Sequence, residues 1–119
     1  MTTDLEFLRA AANAAGITII RSRLDDPMHC DLLITLSVRN PHHDFGGWNP
    51  LTDDGDALRL AVKLGIDVSH NTFGNVIADH YTLQDKRAVV LAHGIDPCAA
   101  TRRAIVALAA KMSPLPAVG

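Results

Sequence analysis

The segment Asp53-Asp54-Gly55-Asp56-Ala57-Leu58-Arg59-Leu60-Ala61-Val62-Lys63-Leu64-Gly65-Ile66-Asp67-Val68 contains a whole helix-to-strand transition. Asp53 and Asp56, three residues apart, occupy capping positions where a carboxylate accepts N–H groups that the first helical turn leaves unpaired. Ala57, Leu58, Leu60, Ala61, Val62 and Leu64 then supply a wide apolar face at helical spacing. Gly65 adopts the left-handed conformation that ends a helix at little steric cost, and Ile66-Asp67-Val68 continues as strand. A helix over Asp53–Leu64 followed by a strand is the reading. The same connection occurs earlier, where Gly16-Ile17-Thr18-Ile19 follows a helical segment. A chain that twice passes from helix through glycine into β-branched residues is an α+β chain.

Working outward, Thr3 and Glu6 form the reciprocal capping pattern. Leu5, Leu8, Ala12 and Ala15 recur on one stripe and Glu6, Arg9 and Asn13 on the other, which predicts a first helix over Asp4–Ala15. Ile17–Leu24 reads as a strand broken by Asp25-Asp26-Pro27. Leu32–Val38 alternates, with Leu32, Ile34, Leu36 and Val38 on the apolar side, as a half-buried hairpin partner does. Arg39–Leu51 has no periodicity and reads as a long loop. Strands near Asn75–Leu83 and Lys86–His93 flank a turn at Gln84-Asp85. Asp96-Pro97 is an N-cap with proline at the first helical position, opening a last helix over Pro97–Lys111 that buries Ile105, Leu108, Ala109 and Met112. The order is α-β-β-α-β-β-β-α. Hairpins make the sheet largely antiparallel, and a three-layer α/β/α sandwich buries both of its faces. Residues 1–112 form one α+β domain, and residues 113–119, with two prolines, a flexible C-terminal tail.

Composition agrees with one ordered domain. The chain has 119 residues, 48% hydrophobic and 20% charged, with a formal net charge of −2, which excludes a disordered chain and a strongly basic nucleic-acid binder. Aromatics are 4% of residues, so the core is aliphatic. Cys30 and Cys98 make neither a CxxC nor a zinc-finger spacing and read as free, buried thiols of a reducing cytoplasm. No apolar run approaches the roughly 20 residues of a membrane span.

Three groups of residues, Trp48-Asn49-Pro50, then Asp53-Asp54-Gly55-Asp56-Ala57-Leu58, then Asp96-Pro97 with Ala100, Arg102, Arg103, Ala104 and Ile105, resemble a family of small phage proteins carrying the phage αβα-sandwich domain, similar to the phage NinX-like proteins. The resemblance spans nearly the whole chain, although short motifs carry it. It implies a phage or prophage origin and the sandwich fold, and it implies no reaction. Asp25–Phe45 matches nothing in the family, so the histidines there inherit no role.

Several clusters suggest chemistry. Asp53, Asp54 and Asp56 are carboxylates of the kind that hold Mg²⁺ in a metal-dependent hydrolase, yet helix capping accounts for all three. Six histidines raise a metal site. The expected hairpin registers set His70 opposite Val76, His80 opposite Ile66, and Val76 opposite His93. That leaves His70 and His93 two strands apart, about 9–10 Å, and His42 and His43 adjacent in a loop. Cys30 beside His29, and Cys98 at a helix start, are the candidate nucleophiles, with no glycine-rich or G-x-S-x-G motif beside them. Helix two through helix three reads αβββα, the order of double-stranded-RNA-binding domains, but the last helix opens on Asp96-Pro97-Cys98 where those domains carry lysines.

The sequence therefore predicts a non-catalytic protein-interaction module without cofactor or resident metal. Its binding residues would be Trp48, Asn49, Asp54, Arg102 and Arg103. Its partner would be a host or phage protein, with self-association as a further option, in the bacterial cytoplasm and away from membrane and nucleic acid. The alternatives are a nucleic-acid-binding module and a hydrolase built on the acidic cluster.

Overall fold

The computed structural model describes residues 3–35, 45–80 and 88–113. In order these form α1 (Asp4–Ala15), β1 (Ile19–Arg23), β2 (Asp31–Thr35), β3 (Phe45–Trp48), α2 (Asp54–Leu64), β4 (Asp67–His70), β5 (Asn75–Asp79), β6 (Val89–Ala92) and α3 (Pro97–Lys111). Expectations placed on Leu36, Val38, His42, His43, the Gln84-Asp85 turn and the tail beyond Ser113 lie outside the described residues.

The helices begin and end where local chemistry requires. Thr3 Oγ1 accepts the Glu6 N–H at 3.1 Å, Asp53 Oδ2 the Asp56 N–H at 2.8 Å and Asp96 Oδ1 the Ala99 N–H at 3.0 Å. Gly16 and Gly65 close α1 and α2 at φ 72° and 68°, a region from which a side chain is sterically discouraged.

The α+β class and the antiparallel pairing stand as read, but the strands divide into two three-stranded sheets, β1-β2-β3 and β4-β5-β6, rather than one. The extra strand is β3, which lies inside the stretch read as a loop. It pairs antiparallel with β2, Leu32 facing Trp48 and Thr35 facing Phe45. Gly46 and Gly47 disguise it in sequence, and Gly47 has a structural reason. A Cβ there would strike the Asp31 carboxylate, which holds Arg23 in a two-pronged ion pair at 2.8 and 3.0 Å. With neighbours on both edges, β2 is buried at Leu32, Leu33 and Ile34, not at alternate residues. The element order is thus α-β-β-β-α-β-β-β-α.

The core gathers around α3. Ala104, Ile105, Val106, Leu108 and Ala109 are all buried, more than one stripe of a helix, because α3 meets α1, α2, β5 and β6. Small residues let the helices approach closely: Ala10, Ala11 and Ala12 of α1 are fully buried, and α1 packs chiefly on α3. The cover stops short of β4, where all four residues are exposed. No helix among the described residues is long and apolar enough to cross a membrane.

Leu108, with no exposed surface, sits where these packings converge. Leu108→Ala is expected to cost roughly 2–5 kcal/mol through lost burial and the cavity left behind, whereas Leu58→Ala, on a residue 64% exposed, should cost far less. Chemical denaturation of the two variants checks the contrast.

Candidate functional site

The apolar residues of α2 split into two stripes. Ala57, Leu60 and Ala61 are buried, as positions three and four apart on one face should be. Leu58 and Val62, one turn apart on the neighbouring stripe, are 64% and 74% exposed. They form one wall of a groove of about 680 Å³ whose other walls are Ile66, Val68 and His70 of the following strand segment and Pro97, Cys98 and Ile105 of α3. Asp54, Asp67, Thr101 and Arg102 also border it. The sequence reading placed Leu58 and Val62 on one wide apolar face with Ala57, Leu60 and Ala61 and did not separate this surface from the buried stripe. The signal available was an apolar set on α2 too wide for one buried face.

The anticipated binding residues fall at different places in the fold. Trp48 is 5% and Asn49 7% exposed, so neither is offered to a partner. Asn49 is instead a polar knot. Its N–H donates to Asp56 Oδ2 at 2.9 Å, its Nδ2 to the Cys30 carbonyl at 2.8 Å, and its Oδ1 accepts the Leu51 N–H at 3.0 Å. Arg102 is nearly buried, donating to the Leu51 carbonyl at 2.8 Å and to Asp54 Oδ1 at 2.6 Å. Arg103 lies over the Phe7 ring and reaches Asp4 at 3.2 Å. Of the five, Asp54 and Arg102 line the groove; Arg103 stands on the α1 side.

Each carboxylate of the acidic cluster is engaged within the protein, with Arg59 shared between Asp53 at 3.8 Å and Asp56. Asp53 caps α2, Asp54 holds Arg102, and Asp56 receives Asn49 and, at 2.8 Å, Arg59. Among the described residues no three His, Cys, Asp or Glu side chains group as metal ligands.

The expected separation of His70 and His93 is corrected. His70 does face Val76, but β6 is displaced by two residues, so that Val76 faces Leu91 and the His93 N–H bonds the Gly74 carbonyl. Side-chain reach, which strand spacing alone ignores, closes the remainder. His70 Nδ1 and His93 Nε2 lie 2.8 Å apart with ring centroids at 5.0 Å, one ring nitrogen donating to the other.

A second polar pocket, of about 310 Å³, includes His29, Cys30, Asn49, Asp53 and Asp56. Asp26 Oδ2 meets His29 Nδ1 at 2.8 Å, and that bond, with the Met28 N–H on the same carboxylate, holds Asp26 below its ordinary range. Its contribution to stability is present above the unfolded carboxylate pKa and is lost as pH falls through the lower folded value. Cys30 closes this turn at φ 52°, the only non-glycine positive φ among the described residues. Both cysteines are free and exposed, contrary to their reading as buried thiols: Cys30 ends an exposed turn, and Cys98 opens α3 on the groove's side.

In comparisons with known proteins, no family model, no curated protein and no solved structure matches the chain.

The knot sets the order of sensitivity here. Asp53→Asn should change stability by only a few tenths of a kcal/mol, since asparagine caps equally well. Asn49→Ala should cost about 1–3 kcal/mol by leaving the part-buried Cys30 carbonyl and Leu51 N–H without their partner. Asp56→Ala should exceed the roughly 1 kcal/mol of a lost cap, because Asn49 and Arg59 lose their acceptor. Urea midpoints for the three variants test the ranking.

Proposed function

We propose that this chain is a phage or prophage accessory protein acting in the bacterial cytoplasm as a non-catalytic interaction module, with a protein partner held in the groove between α2, β4 and α3. The observation that carries the reading is the exposure of Leu58 and Val62 beside that groove. A small domain that buries its other helical faces and leaves this one open pays for it in solubility, and contiguous open apolar surface marks interaction sites. The phage origin rests on the resemblance. Its motif residues Asn49 and Asp56 are the ones joined in the knot, so what they share with the family would be a way of folding, not a reaction.

Two observations weigh against the alternatives. The three carboxylates of the hydrolase reading are each already engaged by main-chain or cationic groups of the protein itself. The αβββα order of α2 through α3 does occur, but Arg102, which a phosphate-gripping face would need, is already committed to Leu51 and Asp54.

Affinity capture from infected or lysogenic bacteria, comparing wild type with Val62→Glu and with Ile20→Ser, tests the reading. Ile20 is 49% exposed on β1 and does not line the groove. A protein retained by wild type and Ile20→Ser and lost by Val62→Glu is the expected outcome. Identical capture by all three, or salt-sensitive duplex binding that falls when Arg102 and Arg103 are neutralised, would replace it.

A further inference from the structure

Building on the groove reading, we propose that its occupant is an extended peptide segment of the partner, alternating apolar and basic residues, which adds as a fourth strand to the edge of β4. Among the described residues the order β4-β5-β6 leaves β4 paired on one side only. Every second residue of such a strand turns its N–H and C=O outward without a partner in the sheet. Proteins ordinarily blunt an edge of this kind with short strands, bulges, charged side chains or proline. The edge strand β1 follows that rule, with an irregular register at Ile20 and arginines at 21 and 23. By contrast β4, four residues long, is regular through all four pairs with β5, has no proline, lysine or arginine, and carries Asp67 as its one carboxylate. A strand edge lying beside a helix-walled apolar groove is the arrangement into which extended peptides bind, main chain to main chain.

The register specifies the peptide. Val68 faces Ala78 and His70 faces Val76, and both partners are buried, so Val68 and His70 lie on the inner, groove side. Asp67 faces Asp79 on the outer side. An added antiparallel strand preserves this alternation. Its residue opposite Val68 enters the groove against Leu58 and Val62 and is therefore apolar. Its residue opposite Asp67 faces outward beside two carboxylates that stand directly opposite one another, an unfavourable pairing of like charges. Asp67 has no ion-pair partner among the described residues, so a basic side chain there meets a carboxylate that is not otherwise engaged. A second copy of β4 would instead bring four carboxylates to one face, and a helix in the groove would leave the β4 edge groups unpaired.

Fluorescence anisotropy with two labelled synthetic peptides of about eight residues, one alternating valine and lysine and the other valine and glutamate, tests the assignment. Wild type should bind the lysine peptide roughly tenfold or more tightly than the glutamate peptide. Asp67→Lys should reverse that preference. Asp25→Lys, the same charge change in the turn after β1, should leave it in place. Val62→Glu should remove binding of both peptides with an unchanged circular dichroism spectrum. Absence of saturable lysine-peptide binding, a preference equally altered by Asp25→Lys, or tighter binding of a helical leucine–lysine peptide of equal charge would overturn it. So would sedimentation showing self-association lost in Val62→Glu. If captured partners still depend on Val62 while the peptide preference ignores Asp67, the groove reading survives and this one falls.

Discussion

The structure depends on the simultaneous burial of α3 against four other elements. Isolated helices of this length are marginal in water and gain their stability from tertiary packing. The three-stranded sheets are small, and each needs a covered face to persist. Here α3 supplies that cover to β5 and β6 while serving as the surface onto which α1 and α2 close. Its alanines at 104 and 109 permit the close approach, and Ile105, Val106 and Leu108 fill the spaces that result. Nothing polar is left stranded by the arrangement: no buried side-chain nitrogen or oxygen among the described residues lacks a partner.

A second constraint, polar in kind, fixes how the first sheet sits on the helices. Asn49 directly follows β3 and bonds the turn before β2 at Cys30, the start of α2 at Asp56 and Leu51 of the segment between β3 and α2. Arg102 extends the connection to α3 through Leu51 and Asp54. Buried networks of this type are favourable only when every member is satisfied. That requirement makes their geometry specific, where the aliphatic core would tolerate a range of packings.

All three helices were legible almost to the residue because their limits are set by chemistry within a few positions: Thr3 with Glu6, Asp53 with Asp56, Asp96 before Pro97, and glycine at 16 and 65. What was not legible depends on partners distant in sequence. Gly46-Gly47 reads as loop until β2 is known to need a neighbour on that edge, and Trp48 reads as available until Leu32 is set opposite it. The meeting of His70 and His93 turns on a two-residue displacement of β6 that alternation alone does not fix. Asp54 and Arg102 were picked out as binding residues and do line the groove. Leu58 and Val62, its exposed apolar wall on α2, were indistinguishable by composition from their buried neighbours, since hydrophobicity at helical spacing does not say which of two adjacent stripes another element will cover.

The two ends of the described chain are tied together. Asn13 donates to Ser113 and Arg103 to Asp4, contacts that span 100 and 99 residues, and both belong to the packing of α1 on α3. Each three-stranded sheet, by contrast, is a meander of sequence neighbours that can form from local contacts. Chains grow from the amino end and begin folding as they grow, so α1 emerges first of the described elements and its principal partner last. Its apolar face, Leu8 with the alanines around it, must therefore stay unpaired through most of synthesis. A nascent-chain binding factor would find its target there, on a surface that the finished protein no longer displays.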